Sequence, residues 1–96
     1  MNTPSLAQIT RELLLAYNRF PRKNLGQHFL VDPMVLQRII AAAAVTSDDL
    51  IVEIGSGLGL VPLELAKRAN HVIAIEIDGE LLRISQDVLK SQNNIS

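Results

Sequence analysis

Glu53-Ile54-Gly55-Ser56-Gly57-Leu58-Gly59 decides how this chain is read, because three glycines spaced two apart follow the apolar run Leu50-Ile51-Val52 directly. A strand that breaks into a glycine-rich turn and then a helix brings bare backbone against a ligand. A dinucleotide fingerprint, Gly-x-Gly-x-x-Gly, requires its third glycine at position 60, which is Leu60. The turn therefore points to another nucleoside cofactor. A P-loop is excluded as well, since Gly-Lys-Ser/Thr is absent.

Outward from the turn, Leu60 to Ala69 reads as a helix, with Pro62 tolerable in its first turn. Val72-Ile73-Ala74-Ile75-Glu76-Ile77 is rich in β-branched residues and reads as a second strand buried on both faces. Asp78 is placed to cap a helix from Gly79 to about Gln92, with Leu81, Leu82, Ile84 and Leu89 available for packing. Upstream, Thr3-Pro4 looks like a cap followed by proline at the first helical position, opening a helix to about Tyr17 on Leu6, Ile9, Leu13 and Leu14. Asp32-Pro33 repeats the device and opens a helix to about Ala44, with Val35, Leu36, Ile39 and Ile40 as its buried face. Between them, Asn18 to Gly26 loses periodicity and carries Pro21 and Gly26, as a basic loop does.

Strand, glycine turn, helix, strand, helix is the first half of a doubly wound α/β sheet. The expected organisation is a helical segment over 1-48, with the basic loop, and the first half of a Rossmann-like domain over 49-96. Asn93-Asn94-Ile95-Ser96 resembles the approach to a third strand. Two parallel strands alone leave faces and edges uncovered, so the expectation is a piece of a larger domain or one completed by association.

Composition narrows the function. The 96 residues contain no cysteine, which removes disulfides, thiolate metal sites and cysteine nucleophiles, and fits a cytoplasmic protein. The longest apolar run, Ile39 to Val45, is too short to span a bilayer, and the N-terminus lacks the cation-then-apolar pattern of a secretion signal. A net charge of -1 conceals an asymmetry: up to residue 40, five cations face two acids, and beyond it four cations face eight acids. The front of the chain suits a polyanion and the rest does not.

Glu76 sharpens the ligand. Neighbouring parallel strands end on one sheet edge, so this carboxylate should stand beside the glycine turn, where it can accept bonds from both hydroxyls of a ribose. Glu53, just before the turn, can orient a loop amide, add negative potential, or be a polar strand end held by backbone. No lysine or arginine follows until Lys67. A pyrophosphate wants nearby cations and a sulfonium does not, which favours S-adenosyl-L-methionine.

With Lys23-Asn24-Leu25-Gly26-Gln27-His28-Phe29-Leu30-Val31-Asp32, Val52 to Gly59 and Val72 to Asp78 on the page, the chain resembles the small-subunit ribosomal RNA adenine N6,N6-dimethyltransferases, whose relatives include the macrolide-resistance rRNA methylases. The Leu-Gly-Gln-x-Phe-Leu segment is far more specific than the glycines, and the resemblance covers roughly residues 22 to 96. It implies an enzyme that dimethylates adenines with S-adenosyl-L-methionine. His28 and Leu30 match the segment lining the cofactor pocket; Gly55 matches the glycine at the methionine portion, with Gly57 and Gly59 completing the turn; Glu76 matches the ribose-binding acid.

Ser56 stands where many relatives have proline, a departure given no functional reading. The family's adenine-binding aspartate and its Asn-Leu-Pro-aromatic catalytic loop are expected beyond Ser96, so no catalytic residue is assigned in this chain. There, acceptors on the target amine and an aromatic stacked on the extruded base organise the reaction, and positioning carries most of the catalysis. Arg19, Arg22 and Lys23 read either as a solvated linker or as contacts to the backbone of ribosomal RNA in the small subunit. No metal and no membrane partner is expected. A non-catalytic RNA-binding module of the same shape is the alternative, and a nicotinamide-dependent oxidoreductase is disfavoured by Leu60.

Overall fold

The computed structural model describes residues 4–18 and 32–96. Helix α1 spans Leu6–Ala16, α2 Pro33–Ala43, strand β1 Leu50–Ile54, α3 Leu60–Ala66, β2 His71–Ile75 and α4 Gly79–Leu89. The cap of α1 is Ser5 rather than Thr3. The Ser5 hydroxyl accepts from the Gln8 amide at 3.1 Å, and the Gln8 side chain accepts from the Ser5 amide at 2.8 Å. This reciprocal box satisfies two amides where a lone threonine cap would satisfy one. Asp32 caps α2 as its Asp-Pro pair predicts, its Oδ1 accepting from the Met34 amide at 2.9 Å.

β1 and β2 pair in parallel, from Leu50 opposite His71 to Ile54 opposite Ile75, with α3 as the crossover. A third strand is begun on the far side of β2. Val72 bridges Ile95 in parallel; the Val72 amide donates to the Asn94 carbonyl at 2.9 Å and the Ser96 amide to the Val72 carbonyl at 2.9 Å. Asn94 also reaches back, its Nδ2 donating to the Ala66 carbonyl at 2.8 Å. Those bonds satisfy an orphan carbonyl at the end of α3 and fix where the new strand enters.

Two apolar clusters hold the layers together. Leu36 and Ile40 of α2 meet Leu65, Ala66 and Ala69 at the α3 end and Val72 of β2, while Leu14 of α1 meets Leu58 of the turn and Leu81 and Ile84 of α4. On α2 only Leu36 and Ile40 are buried; Val35 and Ile39 of the expected face are partly exposed. The expectation that β2 is buried on both faces also fails. Val72 is wholly covered, but Ile75 is 47% and Ile77 93% exposed, because the helices pack on the face that carries Ile51 and Val72, and the face that carries Leu50, Val52, Ile54 and Ile75 is bare.

Candidate cofactor site

Parallel pairing places the carboxyl ends of both strands on one edge, and the glycine turn grows from that edge. The amides of Gly55 and Ser56 both donate to the Ile75 carbonyl, at 2.8 and 3.1 Å, which folds the turn back toward β2. Gly55, Gly57 and Gly59 have φ of +78°, +57° and +88°, the left-handed region that side chains resist. At Gly59 the reason is packing as well as conformation, since a Cβ would stand 3.0 Å from Leu89 Cδ1 and 3.2 Å from Ser85 Cβ. At Gly55 a Cβ would meet nothing within 4 Å. That side of the turn is open to a ligand.

Glu76 lies one residue beyond β2, half-buried rather than sunk in an apolar strand. Its Oε1 accepts from the Gly57 amide at 2.6 Å and its Oε2 from the Asp78 amide at 3.0 Å. One carboxylate thus ties the middle of the glycine turn to the start of α4. Each oxygen retains further acceptor capacity, so hydroxyl donors fit without displacing either amide. Asp78 behaves as a cap: its Oδ1 accepts from the Glu80 and Leu81 amides at 3.0 and 3.2 Å.

Beside the turn is a cleft of about 330 Å³ whose lining includes Thr10, Ile39, Val52, Glu53, Gly55 and Ser56. Burial pushes the Glu53 carboxyl up to about 7. Its Oε2, with Ser56 Oγ and Thr10 Oγ1, is shielded from water and has no hydrogen-bond partner. Glu53 is therefore neither held by backbone at that oxygen nor engaged with a loop amide there. No basic side chain is among the described residues lining the cleft, so it suits a cation-bearing cofactor better than a pyrophosphate.

The structure brings Gly55, Gly57, Gly59 and Glu76 together as the sequence predicts. His28, Leu30, Arg19, Arg22 and Lys23 lie outside the described residues. Sequence reasoning missed Thr10, which sits on a helix without a motif, and passed over Ser56, which is 6% exposed. Among the described residues no cluster of three or more His, Cys, Asp or Glu could hold a metal ion, and no helix is long and apolar enough to cross a membrane.

A sequence profile described as Ribosomal RNA adenine dimethylase matches residues 18–96. The chain belongs to that family. It is 45% identical over 87 residues to Ribosomal RNA small subunit methyltransferase A of Clostridium botulinum (strain Loch Maree / Type A3), an alignment covering 91% of this chain and 32% of that protein. The protein of the same name from Listeria monocytogenes serotype 4b (strain CLIP80459) is 45% identical over 86 residues, covering 90% of this chain and 29% of the relative.

Among solved structures, the 23S rRNA methyltransferase ErmE matches with a TM-score of 0.68 at 36% identity, over 72% of this chain and 28% of that one. A dimethyladenosine transferase from Plasmodium falciparum matches with a TM-score of 0.66 at 34% identity, over 72% of this chain and 26% of that one. The fold is thus that of the Rossmann-like methyltransferases. The chain spans about a third of the length of the curated relatives it matches.

Proposed function

We propose that this chain forms the methionine and ribose side of an S-adenosyl-L-methionine site, in an enzyme that dimethylates N6 of adenines in small-subunit ribosomal RNA. The observation that carries it is the Glu76 carboxylate, bonded to the Gly57 amide of the turn with acceptor capacity to spare. A ribose has two hydroxyls to donate, and the open face of Gly55 leaves room for the chain that joins it to the sulfonium. When bound, the cofactor supplies an activated methyl group. The described residues of this chain bind and orient: Glu76 fixes the nucleoside, the three glycines admit it to the backbone, and a cleft with no cation among its described lining residues favours a positive centre.

His28 and Leu30 complete the pocket in this reading, and Arg19, Arg22 and Lys23 hold RNA backbone at its mouth. The place of action in this reading is the cytoplasm. The division of labour between 1-48, which brings RNA and closes the pocket, and 49-96, which holds the cofactor, belongs to the same proposal.

Calorimetric titration with S-adenosylhomocysteine tests the cofactor half. Removing two charge-assisted bonds of about 1.5–3 kcal/mol each should make Glu76→Ala bind at least tenfold more weakly, and equal affinity would refute the assignment of Glu76. The RNA half is tested by transfer of labelled methyl from S-adenosyl-L-methionine to unmethylated small-subunit RNA by a full-length version of the enzyme that includes the catalytic loop. Retention of RNA with no methyl transfer would move the reading to the binding module.

A further inference from the structure

Helix α1 lies ahead of the residues matched by the family profile, which begin at 18, yet it reaches the cleft beside the glycine turn. Thr10 lines that cleft, and Leu13, Leu14 and Tyr17 pack with Leu58, Leu81 and Ile84. The three buried, unpartnered side-chain oxygens found among the described residues belong to Thr10, Glu53 and Ser56, all in the lining of this one cleft. Thr10 and Ser56 are only 4% and 6% exposed. Orphaned polar atoms favour any rearrangement that gives them water or a ligand, and here they are concentrated where the helix meets the turn.

The ends of the helix are also satisfied from within. Its first turn is satisfied internally by the Ser5–Gln8 box, and the Tyr17 amide at its end donates to the Leu13 carbonyl at 3.2 Å. Among the described residues, one hydrogen bond joins the helix and its caps to another element, from the Tyr17 hydroxyl to Asp87 of α4. Among the described residues, apolar contact and that one bond hold it down, and three unsatisfied oxygens oppose them.

We propose that α1 is a displaceable cover on the glycine-turn cleft, packed down in the free protein and lifted when the amino-acid end of the nucleoside cofactor enters, its 11 residues then fraying because so short a helix is marginal once undocked. This rests on the cofactor reading of the cleft. Affinity then falls in proportion to the fraction of molecules with the cover open. Two variants move that fraction in opposite directions. Thr10→Val keeps the shape and removes an orphaned hydroxyl, which tightens closure. Tyr17→Phe keeps the ring and removes the bond to Asp87, which loosens it.

The experiment pairs hydrogen exchange across residues 6–16 with calorimetry, using the purified protein and S-adenosylhomocysteine. In the unmodified protein the ligand should speed α1 exchange. Thr10→Val should slow α1 exchange by about five- to tenfold and weaken binding by the same factor, while Tyr17→Phe should speed exchange and tighten binding. Ligand that binds while α1 exchange stays unchanged, or variants that shift exchange without shifting affinity, would overturn the cover and leave the cofactor reading standing. Failure of the unmodified protein to bind the ligand would overturn both.

Discussion

Glu53 carries its carboxyl into a cleft whose other side chains are apolar or hydroxylic, and burial alone lifts its pKa to about 7. An unfolded glutamate ionises near 4.3, so between those values the folded chain binds more protons than the unfolded one. Stability therefore declines as pH rises from about 4.3 to 7 and is level above that window. Discounted for the part of the side chain that water reaches, the loss is on the order of 1–2 kcal/mol. Glu53→Gln should flatten this segment of a urea-denaturation series and be the more stable protein at pH 8. An unaltered slope would show that another group sets it. Glu76, in contrast, gives both oxygens to backbone amides. The sequence shows that Glu76 must stand near the turn, because strand register decides that. It does not show Glu53 partly neutral at pH 7, because that depends on what α1 and α2 lay over the cleft.

Among the elements, the turn and its following helix bear the tightest constraint. Gly59 is both left-handed and hard against Leu89 and Ser85. Gly59→Ala should lower stability by about 2–4 kcal/mol, from backbone strain together with crowding. Gly55→Ala meets open space and should cost only the strain, about 1–2 kcal/mol. Denaturant midpoints of the two variants measure the difference, and equal losses would mean the packing at Gly59 relaxes freely. Asp78→Ala removes the acceptor for two amides of α4 and should cost about 1–2 kcal/mol. The caps of α2 and α4 and the glycine spacing are local chemistry and legible as such. The Ser5 cap is not singled out because Thr3-Pro4 offers a competing signal two residues earlier. The incomplete cover on β2 is a long-range property that β-branched composition does not carry.

At the scale of the whole molecule, one face of the two-stranded sheet is strongly apolar and open. Leu50, Val52, Ile54, Ile75 and Ile77 range from 47% to 93% exposed. Isolated exposed apolar residues are ordinary, but a row along one pair of strands is a patch of the kind that binds dyes and other apolar surfaces. The native protein should therefore enhance the fluorescence of 8-anilinonaphthalene-1-sulfonate below its unfolding transition. Val52→Lys together with Ile54→Lys should reduce that signal by more than half, and no change would place the dye elsewhere.

The bond between Tyr17 and Asp87 joins residues 70 apart in sequence. Closing so long a loop costs conformational entropy that nearby contacts do not, so strand pairing and the α4 cap can form while α1 is still undocked. In kinetic terms, α1 should be the last element to arrive and the first to depart. Tyr17→Phe should accordingly quicken unfolding and leave the refolding rate almost untouched. A helix that joins late, after the glycine turn is assembled, finds its landing surface already made.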